Sequence, residues 1–325
     1  MSALINRVLF ATDFSDCAMK AEAYALFFSE VYQAPIDIFH VLELYPGLDP
    51  EYPVNQVYVE QLRRDTDTQL AEAVRRFQDK RVTVNGRSIL GVPSAQICAA
   101  AEESHADLIV LGTRGKGGLE HLLLGSTAER VVNKASCPVL TVGTSLPVGT
   151  ASSASGSAGV THILAAVDFS DCSLDALEYA VQVAKQLKAT VTILHVLEPV
   201  SYGLDLTLIH TAERGRTRAR IRKELDAFVQ AIALEGLTVD HAIRGGTPAD
   251  SLIQFLGENR CDLVVMGTHG RRGLAHLVNG SVAEAVLRRA ACPVLTVKSP
   301  KFAPRHRRIV VKASAQHLSR SHGHV

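Results

Sequence analysis

One glycine pattern is written twice in this chain, and it constrains the fold more than any other feature. Gly112-x-x-Gly115-x9-Gly125-Ser126 recurs as Gly267-x-x-Gly270-x9-Gly280-Ser281, an offset of 155 residues. Residues 107–126 and 262–281 share 12 identities in 20 positions, among them Asp107/Asp262, Thr113/Thr268, Leu119/Leu274 and His121/His276, so the repeat is inherited rather than accidental. The same offset relates Asp13-Phe14-Ser15-Asp16-Cys17 to Asp168-Phe169-Ser170-Asp171-Cys172, and His40-Val41-Leu42-Glu43 to His195-Val196-Leu197-Glu198. It also relates Cys137–Val142 to the identical residues 292–297. A whole domain has been duplicated in tandem with almost no drift in length. The boundaries that follow are a first domain over 1–146, a small, polar linker over 147–158, a second domain over 159–300 and a tail over 301–325.

Within each half, short β-branched apolar runs alternate with amphipathic stretches, the pattern of βα units on a parallel sheet in an α/β fold. Strands are expected near 5–12, 35–42, 82–89, 107–112 and 138–143, and near 160–167, 190–197, 237–244, 262–267 and 293–298. Leu62, Leu70, Ala73, Val74 and Phe77 fall on one face of a long helix, and Ile221, Leu225, Phe228, Val229 and Ile232 on its equivalent. The stretches before these helices, 44–55 and 199–207, contain Pro, Gly and Tyr or their like and read as loops.

Composition excludes several classes. Apolar residues make up 47% and charged residues 21%, near the soluble average, and no run of eighteen apolar residues or secretory leader is present, so a cytoplasmic location is expected. The six cysteines form no C-x-x-C pair, and they read as small, buried or half-buried apolar residues in a reduced protein. The net charge of +1 conceals a tail with six Lys/Arg and no acid, which leaves 28 basic against 33 acidic residues in the rest. That tail, which also carries His306, His317, His322 and His324, reads as a disordered, solvated end rather than a nucleic-acid contact or a metal site.

The fourth strand of each half runs into the first glycine of the motif, and a helix should begin near Ser126 or Ser281. Glycines let the backbone approach a ligand closely, and the free amides and dipole of a helix N-terminus attract negative charge. The serine hydroxyl can bond a phosphate oxygen or cap the helix. Arg114 and Lys116 in one copy, and His269, Arg271 and Arg272 in the other, suit a polyphosphate. Neither copy has the P-loop spacing, and the first turn, Ala11-Thr12-Asp13-Phe14-Ser15, lacks the glycines of a dinucleotide fingerprint. It offers a carboxylate instead. Asp13 and Asp168 stand where open α/β sheets bind ligands, and each can bond a nucleoside or start the next helix with Ser15 or Ser170. Val41 and Val196 end the second strands, where backbone groups could read a purine edge. His40 and His195 read as structural, because no Ser or Cys nucleophile with an orienting acid stands beside them.

Taken together, the strands Asp107–Gly112 and Asp262–Gly267, the glycine loops, the following A-E-x-V and the C-P-V-L-T-V segments resemble the universal stress protein domain. The likeness covers both halves and leaves out the linker and tail. It implies two tandem Rossmann-like (adenine nucleotide α-hydrolase-like) domains, each a five-stranded parallel sheet of order 3-2-1-4-5 flanked by helices. It also implies ATP, with magnesium, at the carboxyl ends of the strands. Carried over by position, the resemblance assigns the adenosine end to Asp13, Val41, Asp168 and Val196. The phosphates fall to Gly112, Gly115, Gly125, Ser126, Gly267, Gly270, Gly280 and Ser281, with the amides of Thr127 and Val282 adding to them. The implied function is an ATP-binding sensor or regulator in stress adaptation, with catalysis secondary at most. Tandem members resemble a dimer fused into one chain, with 138–143 and 293–298 as the seam, and pairing of two chains is compatible with this. The alternatives are an interaction scaffold that has lost its nucleotide and an enzyme of the ATP-pyrophosphatase type, whose S-G-G-x-D-S loop is absent.

Overall fold

The computed structural model describes residues 3–44, 52–115, 124–143, 159–198, 207–233, 236–269 and 281–298, with the backbone alone at 53–54 and 207–214. The linker 147–158 and the tail 301–325 lie outside the described residues.

In the first half the elements are β1 (Val8–Ala11), α1 (Asp16–Tyr32), β2 (Ile36–Leu42), α2 (Pro53–Gln78), β3 (Val84–Leu90), α3 (Pro93–Glu103), β4 (Leu108–Gly112), α4 (Ser126–Lys134) and β5 (Val139–Val142). The second half repeats them as β6 (His162–Ala166), α5 (Asp171–Leu187), β7 (Thr190–Leu197), α6 (Thr207–Ala233), β8 (Val239–Gly245), α7 (Pro248–Glu258), β9 (Leu263–Gly267), α8 (Ser281–Arg289) and β10 (Val294–Val297). The strand order is β3-β2-β1-β4-β5 in the first set and β8-β7-β6-β9-β10 in the second, which is the 3-2-1-4-5 order in both. The chain divides into two compact units, Met1–Gly159 with Leu287–Leu295, and Val160–Val286 with Thr296–Val325.

Local sequence explains the element ends. Ser15 and Ser170 cap α1 and α5 by accepting from the amides of Ala18 and Ser173. Gln33 and Lys188 end the same helices in the left-handed region, at φ 54° and 56°. Proline opens α2, α3 and α7, where its missing N–H costs nothing. For that reason α2 starts at Pro53, inside the stretch expected to be loop.

The central strands β1, β4, β6 and β9 are covered on both faces and are almost wholly apolar, as parallel strands flanked by helices must be. The edge strands β3 and β8 are half-exposed and carry Asn85, Arg87, Asp240 and Arg244. Phe10 and Phe77, with ring centroids 6.2 Å apart, join β1 to α2 in the first core. Both side chains are at most 1% exposed, and each such burial contributes about 1.5–3 kcal/mol. Ile163, Ile193, Leu225 and Ile232 do the same in the second.

Candidate functional site

The 3-2-1-4-5 order creates a switch point. After β1 the chain moves outward to β2, while after β4 it moves the other way to β5, so the two loops part above neighbouring strands. Open α/β sheets hold ligands in the crevice this leaves. The Asp13 corner and the described loop residues Gly112–Gly115 of the first half sit there, and the Asp168 corner and residues 267–269 occupy the same place above β6 and β9.

The acid corner is tightly wired. Oδ1 of Asp13 accepts from the Ser15 amide at 3.1 Å and from its hydroxyl at 2.6 Å. The Ser15 hydroxyl also reaches the Arg114 carbonyl at 3.4 Å, which links the corner to the glycine loop. Asp168, Ser170 and the His269 carbonyl repeat this arrangement with distances of 2.9, 2.6 and 3.4 Å. Asp13 and Asp168 therefore do start their helices through the capping serines, and both remain half-exposed at the crevice.

Close approach accounts for the glycines. A β-carbon on Gly115 would lie 2.6 Å from Oδ2 of Asp13, and one on Gly125 would lie 3.0 Å from the Thr113 carbonyl. At Gly112 and Gly267 it would press on Cys17 and Cys172 at 3.0 and 2.9 Å, because the first turn of the helix lies directly on the strand end. The thiols of Cys17 and Cys172 fill that contact and donate to the carbonyls of Val142 and Val297, at 3.2 and 3.1 Å. Gly270 and Gly280 lie outside the described residues.

Gly125, not Ser126, is the N-cap of α4, and its amide donates to the Thr113 carbonyl at 2.8 Å. Ser126 and Thr127 are the first two helical residues, and Ser281 and Val282 are their equivalents in α8. Amides in this first turn lack helical partners and, with the helix dipole, favour an anion. Ser126 and Ser281 are exposed.

The strand-two residues face the same space. Phe39 accepts from the Thr12 amide and Leu42 accepts from the Gly91 amide, on opposite sides of β2. Backbone groups alternate sides along a strand, so the amide and carbonyl of Val41 point the way Phe39 does, beyond the end of β1. Val196 is placed identically between Leu194, which accepts from Val167, and Leu197, which accepts from Gly246. His40 and His195 are buried, with Nδ1 at 2.8 and 2.6 Å from the carbonyls of Thr12 and Val167, and they brace the corner. A cavity of about 240 Å³ in the first half is a separate feature, lined by the ion pairs Arg7–Asp37 and Arg87–Glu103.

In the first half a carboxylate at the end of strand one, close-packed glycines and a helix N-terminus come together, and the described residues of the second half repeat the acid corner and the helix start. Comparison with known proteins agrees on the lineage. The model of the universal stress protein family matches residues 5–143 and 159–298. This chain belongs to the universal stress protein family. Universal stress protein MJ0531 of Methanocaldococcus jannaschii is 35% identical over 141 residues, 43% of this chain and 82% of that protein. Universal stress protein Rv2005c of Mycobacterium tuberculosis is 25% identical over 224 residues, 68% of this chain and 70% of that protein. The crystal structure of a universal stress protein from Archaeoglobus fulgidus superimposes with a TM-score of 0.67 at 25% identity, covering 90% of this chain and 98% of that one.

Two residues of this universal stress protein escaped the sequence reading. Phe14 and Phe169 adopt φ of 60° and 63°, a region that bulky residues avoid. Their rings lie against His40 and His195, with centroids 4.7 and 4.9 Å apart. The Phe14 amide donates to the Thr12 hydroxyl at 3.0 Å. Their repetition within D-F-S was the available signal, but an aromatic side chain there reads first as core. Among the described residues no helix is long and apolar enough to cross a membrane.

Proposed function

We infer that each half binds an adenine nucleotide, ATP in the first instance, and that the protein acts as a nucleotide-responsive regulator in stress adaptation. One observation carries this reading: at the end of strand one in the first half a carboxylate and a glycine loop converge, and the loop position beside Asp13 has space for hydrogen alone. The Asp13 and Asp168 carboxylates would bond the nucleoside, with the backbone groups of Val41 and Val196 at the ring edge. Gly112, Gly115, Gly125 and Ser126 would line the phosphates, as would Gly267, Gly270, Gly280 and Ser281, with the amides of Thr127 and Val282 closing the helix ends. Magnesium would accompany the phosphates as their counter-ion.

Mass spectrometry of nucleotide released from the purified protein, together with calorimetric titration of ATP, tests the reading. Adenine nucleotide should be released, and ATP with magnesium should raise the melting temperature. Protein that carries none and binds none would instead be a scaffold.

A further inference from the structure

The cavity of about 240 Å³ in the first half lies between the sheet and α3, toward the amino ends of the strands and so away from the nucleotide crevice. Register places Leu9, Asp37 and Asn85 side by side across β1, β2 and β3, and Phe39 beside Arg87 in a row two residues further on. Neighbours in register point to the same face of a sheet, so these two rows form the floor. Ala100 and Glu103 in the last turn of α3, with its C-cap Ser104, form the opposite wall. From Asp37 to Val41 is about 13 Å along β2, which separates the cavity from the strand ends.

The charged groups of the cavity are only partly engaged. Arg7 donates to Asp37 at 2.9 Å, and Asn85 donates to the other oxygen of that carboxylate at 3.4 Å. Nearer solvent, Nη2 of Arg87 donates to Oε2 of Glu103 at 2.9 Å, while the guanidinium carbon lies 5.1 Å from the centre of the Phe39 ring. Attraction to the ring helps to fix that guanidinium in place. Among the described residues nothing bonds its Nε and Nη1 or the Oε1 of Glu103, and the two side chains are 51% and 69% exposed. The pair therefore keeps a donor edge and an acceptor oxygen open to a ligand.

The second half shows what fits beneath such a pair. Glu258 is the counterpart of Glu103 and bonds Arg244 of β8. Phe255 stands where Ala100 stands in the first half; it is 6% exposed, and its ring centre lies 5.5 Å from the Arg244 guanidinium. There the protein supplies its own phenyl group. In the first half the arginine–glutamate pair is kept, the phenyl group is replaced by the methyl of Ala100, and the space is open.

We propose that this cavity binds a free α-amino acid with an apolar side chain. The side chain takes the place that Phe255 fills in the second half, against Leu9, Phe39 and Ala100. The carboxylate accepts from the unused edge of Arg87, and the ammonium donates to Oε1 of Glu103. With Arg7 and Asp37, the lining holds two positive and two negative groups. A net anion or a net cation meets an unfavourable partner in each pair, whereas a zwitterion meets its opposite at both ends. The volume lies below the roughly 300–1,000 Å³ of sites for drug-sized ligands, as a molecule this small requires.

Calorimetric titration of the full-length protein with L-phenylalanine and L-leucine tests this, beside 3-phenylpropanoate and 2-phenylethylamine, which each lack one of the two charges. L-phenylalanine should bind about tenfold more tightly than either analogue. Ala100→Phe, which writes the residue of the second half into the first, should abolish binding, and Arg87→Gln should weaken it about tenfold. Arg87 stands at the exposed rim, so its variant keeps the fold and remains informative even if Ala100→Phe is overpacked. Binding of neither amino acid, equal binding of 3-phenylpropanoate, or an affinity that Arg87→Gln leaves unchanged overturns the proposal. Displacement by ATP also overturns it and moves the amino acid to the nucleotide crevice.

Discussion

Oδ2 of Asp13 lies 2.6 Å from the point that a β-carbon on Gly115 would occupy, so acid and loop cannot both hold their places once position 115 carries a side chain. Gly115→Ala should therefore weaken ATP binding at the first site by about tenfold, roughly 1.4 kcal/mol, with little change in melting temperature because the loop is on the surface. Calorimetric titration of the variant checks this. Unaltered affinity would mean that Asp13 and the loop do not share a ligand.

Gly112 and Gly267 should respond differently. Their missing β-carbons would meet the backbone carbons of Cys17 and Cys172 at 3.0 and 2.9 Å, and a helix backbone cannot turn aside as a side chain can. Alanine at either position should cost about 1–3 kcal/mol of stability, with Gly267→Ala the more damaging because the Cys172 carbonyl oxygen is also crowded, at 3.0 Å. Urea unfolding monitored by hydrogen exchange, which reads the halves separately, would rank the two variants.

These two glycines show how much of the molecule was legible beforehand. The repeat revealed the duplication, and the β-branched runs located all ten strands to within a few residues, because buried parallel strands have little freedom in composition. The loop glycines were legible as places of close backbone approach, but not their differing reasons. Gly112 is needed by a helix lying on a strand end, whereas Gly115 is needed by a carboxylate, and spacing alone cannot separate the two. Ser126 illustrates another limit. A serine at a helix start reads as a cap, yet Gly125 takes that position because its amide is already bonded to Thr113. The left-handed Phe14 was invisible for a related reason, since a conformation held by Thr12, His40 and Ser15 together leaves no mark on any one of them.

Ser15 and Ser170 each join three groups: the helix amide they cap, the carboxylate of Asp13 or Asp168, and the carbonyl of Arg114 or His269. Ser15→Ala should cost about 1 kcal/mol through the lost cap and should also loosen the acid corner. Ser15→Thr keeps the hydroxyl and should restore both stability and ATP affinity. Chemical denaturation and titration of the pair would show a threonine no better than alanine if the hydroxyl were incidental.

Cys261 gives the second half a distinctive alkaline response. Burial, followed by the negative charge of Asp262, pushes its thiol up from 9.0 to about 11. The unfolded chain releases this proton near pH 9 while the folded chain keeps it until about pH 11, so in that window the unfolded state binds fewer protons. The contribution is fully present below pH 9 and is lost as pH climbs to about 11. Because the thiol is only half-buried the effect should be modest, and Cys261→Ser should flatten it. Urea midpoints measured on either side of the window, with and without the substitution, decide the matter.

The two candidate sites should not be equal. Their corners match, but the cations do not. Arg114 in the first is replaced by His269, whose Nδ1 lies 2.9 Å from the Thr268 hydroxyl and is engaged by its own loop. The next residues change from Lys116-Gly117 to Arg271-Arg272. Paired guanidinium groups grip phosphate oxygens through planar forks, whereas a single ammonium acts as a point charge. The second site should therefore hold a triphosphate several-fold more tightly and show the steeper loss of affinity with salt, because more of its attraction is ionic. Gly270→Glu leaves the first site to be titrated alone, and Gly115→Glu leaves the second. Equal residual affinities with equal salt dependence would show that the divergent cations do not touch the ligand, and would reduce the difference between the loops to surface drift.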